Sequence, residues 1–375
     1  MKIKYKNAKR PGFSLTEMLV VVLIMGVLVG VVGSLMGGFV TNFEMTDDQS
    51  IARRRAQDVF NILQTPILNA GLGIPSNNFD YFFGPAGVNA PIRTWGGPIE
   101  VITHNTTENR GDALRIVYSV FSGVKNVNSE DIKDFSSLSN VPPGNDVTPV
   151  VLFLSSGDLS EGGGDGIQIA SSGAYPVRSY VTFPGIWMHP EVVTNYEGSS
   201  RRLTVAGKTP ETVSEDVIEQ TLGRNVIRPY HDMFLVRAGL AYVDNNGTFC
   251  MYDINDGGDA FELGDSLPTA SEADAGEKLV YRVEGIKAVR FVEEVNAADG
   301  RVTGVNVYVL AEGDNAVTGR TTASPAVQAV RNRVFPPGSP HAGEWVWPDV
   351  NWDDEMYYDD FEMRWRTRNI EATTP

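Results

Sequence analysis

The chain has 375 residues, 47 acidic against 31 basic side chains, and a formal net charge of −16. That balance excludes nucleic-acid binding through bulk charge, and it argues against docking on anionic lipid by any route except insertion. The length allows one large domain or two, and Cys250, the single cysteine, excludes an intrachain disulfide. The 38 glycines and 21 prolines exceed the usual share and fit a fold of many turns and short strands.

The chain opens with five cations and no acid (Lys2, Lys4, Lys6, Lys9, Arg10), and becomes apolar just after the Gly12–Phe13 junction. Glu17 interrupts the apolar run; from Met18 to Val40 there are 23 residues without a charge. As a helix these span about 34 Å, enough for a hydrocarbon core of about 30 Å. The cations ahead of the span place the N-terminus in the cytoplasm and everything after residue 40 outside. A plain anchor, a secretory signal peptide and a prepilin N-terminus all share this pattern. Glu17 separates them, because an acid at the membrane edge costs free energy from which an anchor or a signal peptide is expected to gain nothing.

Arg10-Pro11-Gly12-Phe13-Ser14-Leu15-Thr16-Glu17 resembles the type IV prepilin site. The resemblance implies that prepilin peptidase cuts between Gly12 and Phe13 on the cytoplasmic side and that the new N-terminus, Phe13, is N-methylated. It implies that Glu17, fifth from Phe13, meets the positive N-terminus of a neighbouring subunit in the filament. Major pilins often carry a proline farther along this segment; Ser34 stands in its place here. Without a leader of residues 1–12 the net charge becomes −21.

The resemblance divides the chain into that leader, a transmembrane and filament-core helix over 13–40, its amphipathic continuation over 41–70, and a β-rich extracytoplasmic head over 71–375. In the continuation Ile51, Ala52, Ala56, Val59, Phe60 and Leu63 fall at helical spacing, with Arg53, Arg54 and Asp58 between them. The outer half is therefore expected to pack on the head, with Pro66 and Gly71 marking its end. Gly26, Gly30, Gly33, Gly37 and Gly38 weaken the inner half by about 1 kcal/mol each relative to Ala. Gly26 and Gly30 also offer a small-residue face for helix contact.

After Gly71 the period becomes two. In Gly111-Asp112-Ala113-Leu114-Arg115-Ile116-Val117-Tyr118 the residues Leu114, Ile116, Tyr118 and Val120 share one face of a strand. Ala70-Gly71, this strand and the Arg-Asn ending near Arg368 resemble the PilW-type minor pilins. Further strands are predicted at 99–103, 150–154, 167–170, 179–183 and 202–206, and a short helix at 211–223. Two hairpins follow: 234–243 with 249–254 about Asn245-Asn246-Gly247, and 287–295 with 302–310 about Asp299-Gly300. Residues 255–277 read as an acidic surface loop. Phe361, Met363 and Trp365 alternate with charged residues in a half-buried closing strand.

Catalytic and metal signatures are absent from this pattern. His104, His189, His231 and His341 are scattered without ligand spacing. Gly162 to Gly166 is a glycine run with no Lys-Ser/Thr after it, hence a turn and not a phosphate loop. Cys250 sits in an apolar alternation and reads as a core residue. Asp253, Asn255, Asp256 and Asp259, and Asp349 to Glu355, offer oxygen donors of the kind Ca²⁺ takes, but read as solvated loops. Trp345, Trp347 and Trp352 lie close in sequence and read as packing, with a binding surface as the alternative.

The sequence therefore implies an α+β protein: a long N-terminal transmembrane and amphipathic helix, then a large β-rich globular domain. The expected function is that of a minor pilin of a type IV pilus, acting in priming or at the tip. The alternatives are a J-type pseudopilin of type II secretion, a tip adhesin and a membrane-tethered enzyme. The expected partners are other pilins or pseudopilins, prepilin peptidase and the bacterial inner membrane; no enzyme activity, cofactor or metal is expected.

Overall fold

One helix, α1 (Leu15–Leu68), dominates the computed structural model, and Ser14 starts it as an N-cap with extended backbone. The structure describes residues 14–74, 95–103, 111–129, 150–156, 167–170, 176–184, 190–206, 232–244, 246–254, 279–296, 302–314, 316, 324–348 and 350–367. The expected helix at 211–223, the glycine run at 162–166 and the acidic loop at 255–277 lie outside the described residues.

α1 runs for 54 residues without a break, through all five glycines of its inner half. At ~1.5 Å per residue it is about 81 Å long. It runs through Pro66 and ends at Leu68, between the Pro66 and Gly71 that mark its end in the sequence, where the Asn69 N–H donates to the Thr65 carbonyl at 3.1 Å. Burial explains the passage through the proline: Leu63, Pro66 and Ile67 all lie in the core, and losing one backbone donor in a last turn costs less than withdrawing them.

Nine strands form the first sheet: β1 (Ile99–Ile102), β2 (Ala113–Ser129), β3 (Val150–Leu154), β4 (Tyr180–Thr182), β5 (Glu191–Glu197), β6 (Arg202–Ala206), β7 (Asp232–Val243), β8 (Thr248–Asp253) and β9 (Leu279–Glu284). Every pairing is antiparallel. The long β2 pairs with β7 on one side, and with β1 and then β3 on the other. The order β2-β3-β6-β5-β4-β7 thus returns to β2 and closes a small barrel. Its interior is apolar and takes residues from all six strands: Val124, Leu152, Val181, Val193, Leu203 and Leu235. Closure removes the exposed edges that such short strands would otherwise present.

The second sheet is β10 (Ile286–Val295), β11 (Val302–Glu312) and β12 (Tyr358–Arg366), in that order. The outer half of α1 lies between the two sheets. Ala52, Ala56, Val59, Phe60, Leu63 and Ile67 meet Leu114, Ile116 and Phe249 of the first sheet, and Val289, Phe291, Val307 and Trp365 of the second. Phe60 sets its ring edge-on to Trp365, with centroids 5.7 Å apart. The other face of the second sheet is covered by α2 (Pro325–Arg331) and the segment after it, around Tyr308, Phe335 and Trp347.

The strands predicted at 99–103, 150–154, 179–183 and 202–206, both hairpins and the closing strand are present within a few residues. Residues 167–170 are not a strand: Gln168 donates to Arg178 and Ala170 to Val193, two separate backbone bonds that do not build a ladder. β5 escapes the alternation rule because a register shift between Val193 and Asn195 breaks its period.

Three carboxyl groups of the head are pushed above their ordinary values, chiefly by burial: Asp112, Glu293 and Asp359. A carboxyl raised in the folded state holds its proton longer there than in the unfolded chain. Stability from these groups is therefore greatest below their ordinary values of 3.8 for Asp and 4.5 for Glu, and is lost as pH rises above them. The self-repulsion of an acidic chain has the same sign. The head is expected to melt no lower at about pH 5 than at about pH 7.5, with Glu293→Gln flattening the dependence. Thermal melts across that range check it; a steep fall in melting temperature toward pH 5 would show the opposite linkage.

Candidate functional site: the exposed end of the long helix

The first turn of α1 is closed by a capping box. The Ser14 N–H donates to Glu17 Oε2 at 2.9 Å, and the Glu17 N–H donates to Ser14 Oγ at 3.2 Å. Ser14 Oγ also donates to the same carboxylate at 3.1 Å and shares a hydrogen bond with Thr16 Oγ1 at 2.9 Å. A Ser at the cap with Glu three residues on satisfies two backbone donors that would otherwise lack partners. This corrects one expectation. Glu17 has a use inside its own chain, so a plain anchor would gain a capped helix from it. Ser14 and Glu17 at i and i+3 form a capping signature in the sequence itself, within the residues that also carry the prepilin pattern.

Beyond this turn the helix presents apolar side chains on every side. Leu19, Val22, Val29, Met36, Phe39 and Phe43 are all exposed, and no part of the apolar window is buried against the head. The helix is long and apolar enough to cross a membrane. One continuous helix thus joins an unpartnered apolar stem to an outer half whose Ala52, Ala56, Val59, Phe60 and Leu63 are packed into the head. Gly12 and Phe13 lie outside the described residues; Glu17 is in place at the first turn.

The other candidates resolve as structural. Cys250 is buried with its thiol facing the Thr248 carbonyl at 3.7 Å. Trp347 is buried in the second core, and Trp352 stands edge-on to Tyr358 with the Arg331 guanidinium 5.0 Å from its centroid. Trp345 alone of the three is largely exposed, so the sequence cluster does not form one aromatic surface. Asp253 pairs with Arg178, and Asp354 with Arg331 at 2.6 Å; no metal-holding group of carboxylates or histidines occurs among the described residues. His341 pairs with Glu344 at 3.1 Å, while His104, His189, His231, Asn255, Asp256, Asp259 and Asp349 lie outside the described residues.

Sequence comparison matches residues 7–33 to the prokaryotic N-terminal methylation motif. No curated protein and no solved structure matches the chain. The motif is the prepilin signal of type IV pilins. With a long apolar helix and a β-rich α+β head behind it, it supports a type IV pilin or pseudopilin-like protein. It implies processing by a prepilin peptidase and assembly with other pilins, and it fits a protein anchored in the inner membrane.

Proposed function

We propose that the chain is a minor pilin of a type IV pilus, of the PilW type, acting in filament priming or at the tip, and that it is a structural subunit and not an enzyme. The observation that carries this reading is the bare apolar stem of α1, which opens on the Ser14–Glu17 capping box inside a methylation motif. Such a stem requires lipid before assembly and neighbouring helices after it. The head, with twelve strands among the described residues, is bulky for a subunit repeated in every layer and easier to place at a tip. A J-type pseudopilin of type II secretion has an equally similar N-terminus. A secretion defect with intact pili on deletion would favour it. A tip adhesin would have to rely on Trp345 without its two sequence neighbours.

Mass spectrometry of the N-terminal peptide tests the reading. The mature protein is expected to begin with N-methylated Phe13. Gly12 matters because the peptidase must approach the backbone where a side chain would obstruct it. A start within residues 33–38 would mean signal peptidase and would overturn the proposal.

A further inference from the structure

Past Val40, α1 carries seven charged side chains before Val59, and the fold divides them into two sets. Those turned to the head are used there. Asp48 is buried and its carboxylate accepts from the Asp314 N–H at 3.2 Å; Arg55 donates to the Glu312 carbonyl at 2.6 Å and pairs with Asp314. Glu44, Asp47, Arg53 and Arg54 are exposed, and none forms an ion pair or side-chain hydrogen bond with a described residue, although Arg54 borders a groove that Arg282, Glu284 and Asp314 of the head also line. Asp58 is exposed too, one turn beyond Arg54.

The helix itself cannot pair the first acids with the arginines. Asp47 and Arg53 are six residues apart, whereas side chains on one helix meet at three or four. Lipid does not reach the arginines. Arg53 lies 13 residues past Val40. That is about 20 Å along the axis, beyond a headgroup layer of roughly 5–7 Å. The rest of the chain is acidic, so adjacent Arg53 and Arg54, neither in an ion pair with a described residue and only Arg54 with an acid (Asp58) one turn on, stand out against it.

We propose that these outward charges form an outer clamp between two parallel copies of this chain, Arg53 and Arg54 of one facing Asp47 and Glu44 of the other. An axial displacement of about 9 Å, six residues of rise, brings Asp47 level with Arg53, and the long arginine stems reach over a turn either way. The inference rests on the pilin reading, which supplies the parallel arrangement, and it places two neighbouring copies together at the tip, not one in every layer. The stagger has the same sense as the one that sets Glu17 of one subunit beside the N-terminus of the next. The self-complementary order, acids first and arginines six to ten residues later, is what commits the partner to a second copy.

The test uses two differently tagged full-length copies in one membrane, solubilised in detergent, with recovery of the second tag on the first as the readout. Arg53→Glu with Arg54→Glu is expected to lower recovery several-fold, and Glu44→Lys with Asp47→Lys to do the same. A chain carrying all four reversals is expected to return to the wild-type level, because the clamp is rebuilt with its signs exchanged. Recovery unchanged by either one-sided pair, or wild-type copies that never co-purify, would overturn the clamp. A four-reversal chain that stays low would assign the face to a different partner and overturn the second copy. The N-terminal mass is read on the same samples: an uncleaved chain overturns the pilin reading, whereas a cleaved chain that fails to pair overturns only the clamp.

Discussion

Glu17→Gln is expected to insert and be cut like the wild type, yet to be missing from the assembled filament. The structure makes this the cleaner of two substitutions. Glutamine at the third helical position still accepts the Ser14 N–H, so the capping box survives while the charge is removed. Glu17→Ala removes both, and its defect would mix a frayed first turn, worth about 0.5–2 kcal/mol, with the lost charge. Insertion itself should be unharmed or improved, since a costly acid has gone. The cleavage that the prepilin resemblance implies falls between Gly12 and Phe13, which are untouched. What fails is the pairing that the prepilin resemblance implies. An α-amino group is mostly charged near neutrality, and leaving it buried among helices without its carboxylate costs about 3–5 kcal/mol. Glu17→Asp should be intermediate, because the charge remains on a stem one methylene shorter. Recovery of the protein in sheared surface filaments, with membrane fractions as control, checks the prediction. A Gln variant incorporated at the wild-type level would mean that apolar packing or head contacts hold the subunit, and that the carboxylate serves the cap alone.

The α+β architecture was legible because two periods are written plainly. Ala52, Ala56, Val59, Phe60 and Leu63 repeat at helical spacing and are buried; Leu114 and Ile116 alternate with Ala113 and Val117, and the two pairs enter different cores. The Asn246-Gly247 turn and the Phe361–Met363–Trp365 alternation were equally direct. Barrel closure was not legible, because nothing local tells β2 that it has β7 along one side and β3 along the other. β5 was hidden by a bulge, and the course through Pro66 was decided by burial that a helix-stop rule does not see. At the site, Glu17 was found by its cost in an apolar run, while its bond to Ser14 was overlooked although the spacing announces it. The exposure of Glu44, Asp47, Arg53 and Arg54 needed the structure, since only the packed head distinguishes them from Asp48 and Arg55.

Gly111→Ala is expected to be the most damaging of the glycine-to-alanine changes among the described residues of the head. Gly111 sits where the first sheet touches the second, bridged to Val289, with φ +95. A Cβ there would overlap the Val289 carbonyl oxygen outright and lie 2.7 Å from its carbon and 3.0 Å from its nitrogen, backbone atoms with no rotamer to move. The next residue completes the junction. The Asp112 N–H donates to the Val289 carbonyl at 2.8 Å, and its buried carboxylate accepts from Arg290 Nε at 2.9 Å and from the Phe291 N–H at 3.1 Å. A methyl at 111 therefore strains the backbone, overpacks the seam and pulls Asp112 from its partners. The positive φ contributes about 1–3 kcal/mol and the overpacking about 1–3 more, a large part of a typical 5–15 kcal/mol of stability. Gly123→Ala is the matched control. Its φ is +75 but nothing lies within 4 Å of the added methyl, so only the backbone strain remains. Asp112→Ala probes the other half of the seam, where removing one partner of a buried pair costs about 3–5 kcal/mol. Urea unfolding of the head, followed by tryptophan fluorescence, is expected to rank the midpoints as wild type, Gly123→Ala, then Asp112→Ala and Gly111→Ala together at the bottom. If Gly111→Ala unfolds beside Gly123→Ala, the backbone contact at Val289 is no more than a close approach, and the two sheets are held by the α1 core and by their other bonds, such as Val101 N–H to Glu293.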